Sequence, residues 1–122
     1  MDTSIVLASK VPYMEGELAV SAATVAELSF GVLVAKDLST RAQRLRRLAV
    51  LRDHIKALPI DDAVADSYGH IAAAVAAVGR QPRARTIDLL IAATAHAHNA
   101  RLYTRNASDL VGLEDLVEII AV

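Results

Sequence analysis

The 122-residue chain contains no cysteine. Disulfide bonds, zinc–thiolate sites and thiol nucleophiles are therefore excluded, and a reducing compartment is permitted. Aromatic residues make up only 3% of the sequence, so the core has to be aliphatic. The apolar runs, such as residues 71–78 and 89–95, are far shorter than the roughly 20 residues that span a bilayer. No signal-peptide pattern is visible at the start either. We therefore expect a cytoplasmic protein without a membrane segment.

Hydrophobic residues make up 54% and charged residues 22% of the chain, which is typical of a compact fold. Domains cluster near about 100–150 residues, so we expect a single domain over residues 1–122. The net charge of −1 does not by itself indicate nucleic-acid binding. A basic surface can nevertheless be present in a neutral protein. Two basic clusters occur: Arg41, Arg44, Arg46, Arg47 and Arg52, and further along Arg80, Arg83 and Arg85.

Strand-like and helix-like segments alternate along the chain. Strands are predicted at residues 17–21, 57–60, 100–104 and 117–122, and helices at 24–31, 39–54, 63–78 and 86–98. Thr24 is expected to cap the first of these helices, and Asp61 or Asp62 the third. The alternation predicts an α/β fold, a three-layer α/β/α sandwich with a central, mostly parallel sheet.

Four acidic residues follow predicted strands or lie near helix starts: Asp2, Glu27, Asp88 and Asp109. Functional groups of open α/β sheets gather at the carboxyl ends of the strands, so folding can bring these acids together. A single acid of this kind is more simply explained as a carboxylate that bonds backbone N–H groups at a helix start. The four together favour a shared hard cation, because oxygen ligands suit Mg²⁺ or Mn²⁺.

The order of four short segments resembles the PIN-domain toxins, the VapC half of VapBC type II toxin–antitoxin systems. The segments are DTS at 2–4, TVAEL at 24–28, IDLLIAAT at 87–94 and TRN at 104–106, followed by Asp109. The third segment, followed by a strand and TRN, is the most specific part, and the resemblance spans nearly the whole chain. It implies a PIN-like α/β/α sandwich and a metal-dependent endoribonuclease that cleaves RNA phosphodiester bonds by metal-assisted hydrolysis.

The resemblance also implies roles for individual residues. Asp2 and Asp88 would be the principal Mg²⁺ ligands, and Glu27 would complete the catalytic acidic cluster. The fourth acidic position stays open between Asp109 and Asn106, which could instead hold a water molecule or a phosphate oxygen.

Substrate contacts are expected from side chains near the acids, because basic and polar groups bind phosphates whatever the nucleotide sequence. The expected contacts are Thr104, Asn106, Arg83 and Arg85. The simpler interpretation of the arginine clusters is a solvated surface.

Asp2 departs from the family pattern, because only Met1 precedes it while ordinary strands run about 5–6 residues. We therefore expect a truncated first strand and a native start upstream. A catalytically impaired PIN-like module that binds antitoxin or RNA is the main alternative function.

The partners implied by the resemblance are an RNA substrate, a VapB-like antitoxin that covers the acidic site, and a second copy of the chain in a homodimer. The amphipathic helices within residues 23–54 are the expected contact surfaces. A phospho-receiver domain is a remote alternative from another class. It normally needs an acidic pair near the first strand and a lysine near the last, whereas Lys10, Lys36 and Lys56 all lie in the first half.

Overall fold

The computed structural model describes residues 5–8, 17–104 and 107–121. The strands within these ranges are β1 (Ile5–Ala8), β2 (Glu17–Ser21), β3 (Lys56–Leu58), β4 (Arg101–Thr104) and β5 (Ile119–Ala121). The helices are α1 (Ala22–Leu33), α2 (Leu38–His54), α3 (Asp62–Ala77) and α4 (Thr86–Ala97). Two short 3₁₀ segments, Pro82–Arg85 and Ala107–Leu110, are called the 82–85 turn and the 107–110 turn below.

The strands form one sheet in the order β3-β2-β1-β4-β5. β2 pairs with β3 in parallel, as does β4 with β5, whereas β1 is antiparallel to both β2 and β4. Four strands therefore run in one direction and the central strand in the other. The predicted α/β fold with a mostly parallel sheet is confirmed. The expected strand ending at Asp2 lies outside the described residues, and β1 was not predicted, because its pairing is set by distant partners rather than local pattern.

Consecutive residues of β2 point to opposite faces of the sheet, as strand geometry requires. Ala19 belongs to the larger core, which packs under α3 and α4, and Val20 belongs to a smaller core with α1 and α2. The two cores lie on the two sides of the sheet and give the three predicted layers. The side chains are mostly aliphatic, as the shortage of aromatic residues led us to expect.

The helix starts follow from short polar side chains. The Ser21 hydroxyl accepts a hydrogen bond from the Ala23 N–H at 3.0 Å, so α1 begins earlier than predicted and Thr24 is not its cap. The helix also continues past Gly31 to Leu33. Asp61 caps α3 by accepting from the Val64 N–H at 3.1 Å, which selects one of the two predicted aspartates. None of the described helices is both long enough and apolar enough to cross a membrane.

Helix α4 is the most deeply packed helix, since its residues Leu89, Ile91, Ala92, Ala93, Thr94 and Ala95 are all buried. The Thr94 hydroxyl donates to the Leu90 carbonyl at 2.8 Å and lies 3.1 Å from the Ser21 hydroxyl at the end of β2. This buried contact joins α4 to the β2–α1 junction. The later part of α4 is thereby held against the end of β2.

We expect Leu89→Ala to lower the free energy of unfolding by about 2–5 kcal/mol, because Leu89 is fully buried and its truncation leaves a cavity. Leu38→Ala is the matched control at the start of α2, where the side chain is 82% exposed, and should change stability by less than about 0.5 kcal/mol. Urea denaturation followed by circular dichroism measures both. Equal losses in the two variants would contradict this description of the core.

Candidate functional site

The 107–110 turn is held in place by two arginines from the segment that precedes α4. The Arg80 Nη1 atom donates to the backbone carbonyls of Ser108 at 3.4 Å and Asp109 at 3.2 Å. The Arg85 Nη1 atom donates to the Asp109 carbonyl at 3.3 Å and forms an ion pair with the Asp109 carboxylate at 2.9 Å. Asp109, which is 21 residues beyond Asp88 in sequence, is thereby tied to the start of α4.

Asp88 lies in the first turn of α4, where its side chain keeps contact with solvent. Its pKa is nevertheless raised above the ordinary value of 3.8. The largest cause is desolvation by the surrounding protein, and the second is the negative charge of Asp109, while the Arg85 guanidinium acts in the opposite direction. Two carboxylates and one guanidinium therefore influence one another at the start of α4.

A divalent cation fits this pair of carboxylates. The negative charge of Asp109 helps to raise the pKa of Asp88, and a bound cation would relieve that repulsion. Both supply oxygen ligands, which are the ligands that Mg²⁺ and Mn²⁺ prefer. No cluster of three or more histidines and acids suited to a metal ion occurs among residues 5–8, 17–104 and 107–121. Asp88 and Asp109 are thus the part of the predicted ligand set that the described chain brings together.

Glu27 lies on α1 with its side chain half-buried. Asp109 and Arg85 are the described charges that act on Asp88, and Glu27 is not one of them. One turn before Glu27, the Thr24 side chain is 4% exposed and its hydroxyl has no hydrogen-bond partner among the described residues. A buried hydroxyl without a partner is uncommon, so this part of α1 also differs from an ordinary core helix.

The remaining predicted residues divide into three cases. Asp2 and Asn106 lie outside the described residues. Thr104 is 2% exposed at the end of β4, which limits direct contact with an RNA chain. Arg83 is exposed, and its side chain forms no hydrogen bond or ion pair with any described residue, so it remains available to a ligand.

Arg80 and Arg85 have roles that the sequence pattern did not predict. Both were expected either to contact phosphates or to lie on a solvated surface, but in the structure both bind the 107–110 turn. Their sequence context gave no signal for this, because the partners are backbone carbonyls and one distant carboxylate. Ser21 could have been identified, since a serine directly before an apolar helix is a typical N-cap.

A groove of about 400 Å³ runs between α1 and α2. Its apolar lining includes Leu28, Leu48 and Leu51, and its edge carries Phe30 with a 64% exposed side chain. The groove is crossed by Arg44, whose Nη1 atom donates to the Gly31 carbonyl at 2.7 Å. Part of the arginine cluster on α2 therefore borders an apolar groove rather than covering an isolated basic face.

Comparison with known proteins identifies the fold. A family model described as PIN domain matches residues 2–108. Ribonuclease VapC5 of Mycobacterium tuberculosis is 35% identical over 130 aligned residues, which cover 100% of this chain and 93% of that protein. Ribonuclease VapC8 of the same organism is 33% identical over 99 residues, covering 78% of this chain and 88% of its own length.

Solved structures agree with these matches. The crystal structure of VapBC-5, a member of the VapBC family of toxin–antitoxin systems from Mycobacterium tuberculosis, aligns with a TM-score of 0.72 and 35% identity. The alignment covers 85% of this chain and 81% of that one. None of these matches supports the alternative of a phospho-receiver domain.

We expect Asp88→Asn to make the metal-free protein more stable at pH 7, because a carboxyl whose folded pKa is raised destabilises the folded state once it is ionised. The protonated Asp88 carboxyl stabilises the folded state fully at pH values below its pKa in the unfolded chain. This stabilisation is lost as the pH rises through its higher pKa in the folded chain. The gain in the variant should therefore shrink as the pH falls toward 4. Urea midpoints at the two pH values, measured in EDTA, test this. A variant less stable than the wild type at pH 7 would contradict it.

Proposed function

We propose that this chain, which belongs to the PIN-domain family, is the toxin of a type II toxin–antitoxin system and cleaves RNA with the help of Mg²⁺. The resemblance seen in the sequence is confirmed by the family match and by relatives named as VapC ribonucleases. The observation that carries the proposal is the ion pair between Asp109 and Arg85, which holds Asp109 at the segment just before Asp88. We treat residues 1–122 as one PIN-like domain that acts in the cytoplasm, where cellular RNA is found.

The ribonucleases of this family are metal-dependent. We propose Mg²⁺ as the metal, with Mn²⁺ as a substitute, because all the proposed ligands are carboxylate oxygens. In this proposal Asp2 and Asp88 would be the principal metal ligands, and Glu27 and Asp109 would be the remaining acidic ligands. A bound divalent cation would supply Lewis acidity at the scissile phosphate and a water of lowered pKa. Asn106 is the alternative to Asp109 for the fourth position.

The chain's own residues would bind and orient the RNA around this acidic set. Arg83 is exposed beside the start of α4 and suits a phosphate contact, which is independent of base sequence. Arg85 and Asn106 are proposed as further contacts. Thr104 is buried, so its part would be to position the residues that follow β4. A carboxylate of the set would orient the attacking water for in-line displacement.

We expect Asp88→Asn to reduce metal-dependent RNA cleavage by about 10²-fold or more, because the change keeps the size of the side chain but removes a charged metal ligand. The assay compares the purified chain with Mg²⁺, Mn²⁺ or EDTA on structured cellular RNAs. Circular dichroism confirms that both proteins are folded.

Asp53→Asn is a matched control, because Asp53 is an exposed aspartate on α2 outside the proposed site, and this variant should cleave like the wild type. Cleavage that survives EDTA or the Asp88 change would contradict the proposed site. A folded protein that binds antitoxin or RNA without cleaving RNA would support the alternative of a PIN-like binding module.

We propose that the groove between α1 and α2 binds a segment of a VapB-like antitoxin. The solved relative VapBC-5 is a member of a family of toxin–antitoxin systems. The groove presents exposed Phe30 and Val34 beside Arg44 and Arg47. A segment with apolar and acidic side chains complements this surface. We also propose that two copies of this chain form a homodimer.

We expect Phe30→Ala to weaken antitoxin binding at least about tenfold, because an exposed aromatic side chain at the edge of an apolar groove is a typical binding hot spot. Ile60→Ala is the matched control, since Ile60 is 45% exposed between β3 and α3, and it should change the affinity by less than about twofold. Isothermal titration calorimetry with the cognate antitoxin measures both. Similar effects of the two changes would place the antitoxin elsewhere.

A further inference from the structure

Arg85 carries a contact that no role in RNA binding explains. Its guanidinium lies 2.9 Å from a carboxylate oxygen of Asp109, while the same Nη1 atom also donates to the Asp109 carbonyl at 3.3 Å. Both side chains are partly shielded, with 30% of the Arg85 side chain and 42% of the Asp109 side chain exposed. The positive charge is therefore directed at the acidic site itself rather than toward the solvent.

Arg80 and Arg85 hold the 107–110 turn through different contacts. Arg80 bonds only backbone carbonyls, those of Ser108 and Asp109. Arg85 bonds one of those carbonyls and also pairs with the carboxylate. Loss of the Arg85 ion pair would leave the turn anchored through Arg80. The backbone position of Asp109 and the neutralisation of its charge are thus supported by different side chains.

We propose that Arg85 is an internal counter-cation of the acidic site, which competes with a divalent metal for the Asp109 carboxylate. The inference rests on the proposed function, because it requires Asp109 to be a metal ligand. Arg85 contacts one carboxylate oxygen of Asp109, and a metal bound to the same carboxylate would be repelled by the nearby guanidinium charge. Arg85 therefore lowers the affinity of the site for metal while keeping the two carboxylates compatible in the folded chain.

Displacement gives Arg85 a second position without any change of the fold. A metal that neutralised Asp109 would release the guanidinium near the start of α4, two residues after exposed Arg83 in the sequence. A released guanidinium is a strong ligand for a phosphate group. The competition would therefore couple metal binding to the availability of a phosphate-binding arginine.

The test is a titration of the full, metal-free chain with Mn²⁺ followed by calorimetry, which does not depend on activity. We expect Arg85→Gln to bind Mn²⁺ about two- to fivefold more tightly than the wild type, the change that corresponds to one partly exposed ion pair. A purely structural role predicts the opposite sign, because loss of a support for Asp109 would weaken binding. Unchanged or weaker binding in Arg85→Gln overturns the proposal.

Two neighbouring arginines serve as charge-matched controls. Arg83→Gln removes the same charge from the same turn but no contact with Asp109, and should alter the affinity by less than about twofold. Arg80→Gln removes a backbone anchor without freeing the carboxylate, so it should not tighten binding. Equal tightening in all three variants would indicate general electrostatics and overturn the specific role of Arg85.

A double-mutant cycle separates this inference from the proposed function. In the Asp109→Asn background, the effect of Arg85→Gln should fall below about twofold, since the carboxylate for which Arg85 competes is gone. A full effect in that background overturns the competition. If the wild type and Asp88→Asn bind Mn²⁺ equally or not at all, the proposed metal site itself fails, and the inference fails with it. If Asp88→Asn alone loses binding and Arg85→Gln does not tighten it, only the inference fails.

Discussion

The burial of α4 is the constraint on which the rest of the site depends. Its core-facing residues are packed on the sheet and against α3, and Thr94 contacts Ser21 at the end of β2. Protein interiors are packed about as densely as organic crystals, so such a helix cannot shift or rotate without opening cavities. The position of Asp88 therefore follows from side chains that take no part in the chemistry. The arginine contacts then place Asp109 relative to a helix that is already fixed.

The charges at the start of α4 act on the ionisation of Asp88. Burial and the negative charge of Asp109 raise the pKa of Asp88, and the Arg85 guanidinium acts in the opposite direction. A fold selected for stability alone would place a cation or a neutral side chain at one of these positions. Unfavourable charge pairs that persist in a folded chain are typical of functional sites, where a ligand completes the compensation.

The fold class and most helices and strands could be predicted from local patterns in the sequence, whereas the acidic set stays a prediction. Helical periodicity identified both ends of α2 and α3 to within one residue. Predictions were weakest where distant partners decide the outcome. The antiparallel pairing of β1 depends on contacts across the fold. The same is true of the hydrogen bonds from Arg80 and Arg85 to the 107–110 turn. The proposed roles of Asp2 and Asn106 concern residues outside the described ranges.

Helix α2 contrasts with α4, because Leu48 is its only buried residue. Its further attachments are the partly buried Leu51 and the Arg44 bond to the Gly31 carbonyl. Helices with so few buried contacts open locally at a small fraction of the global free energy. The backbone amides of α2 should therefore exchange with solvent deuterium much faster than those of α4. A partner that covers the groove would slow this exchange in proportion to its occupancy. The exchange rate of the α2 amides would therefore measure the fraction of the protein that is bound.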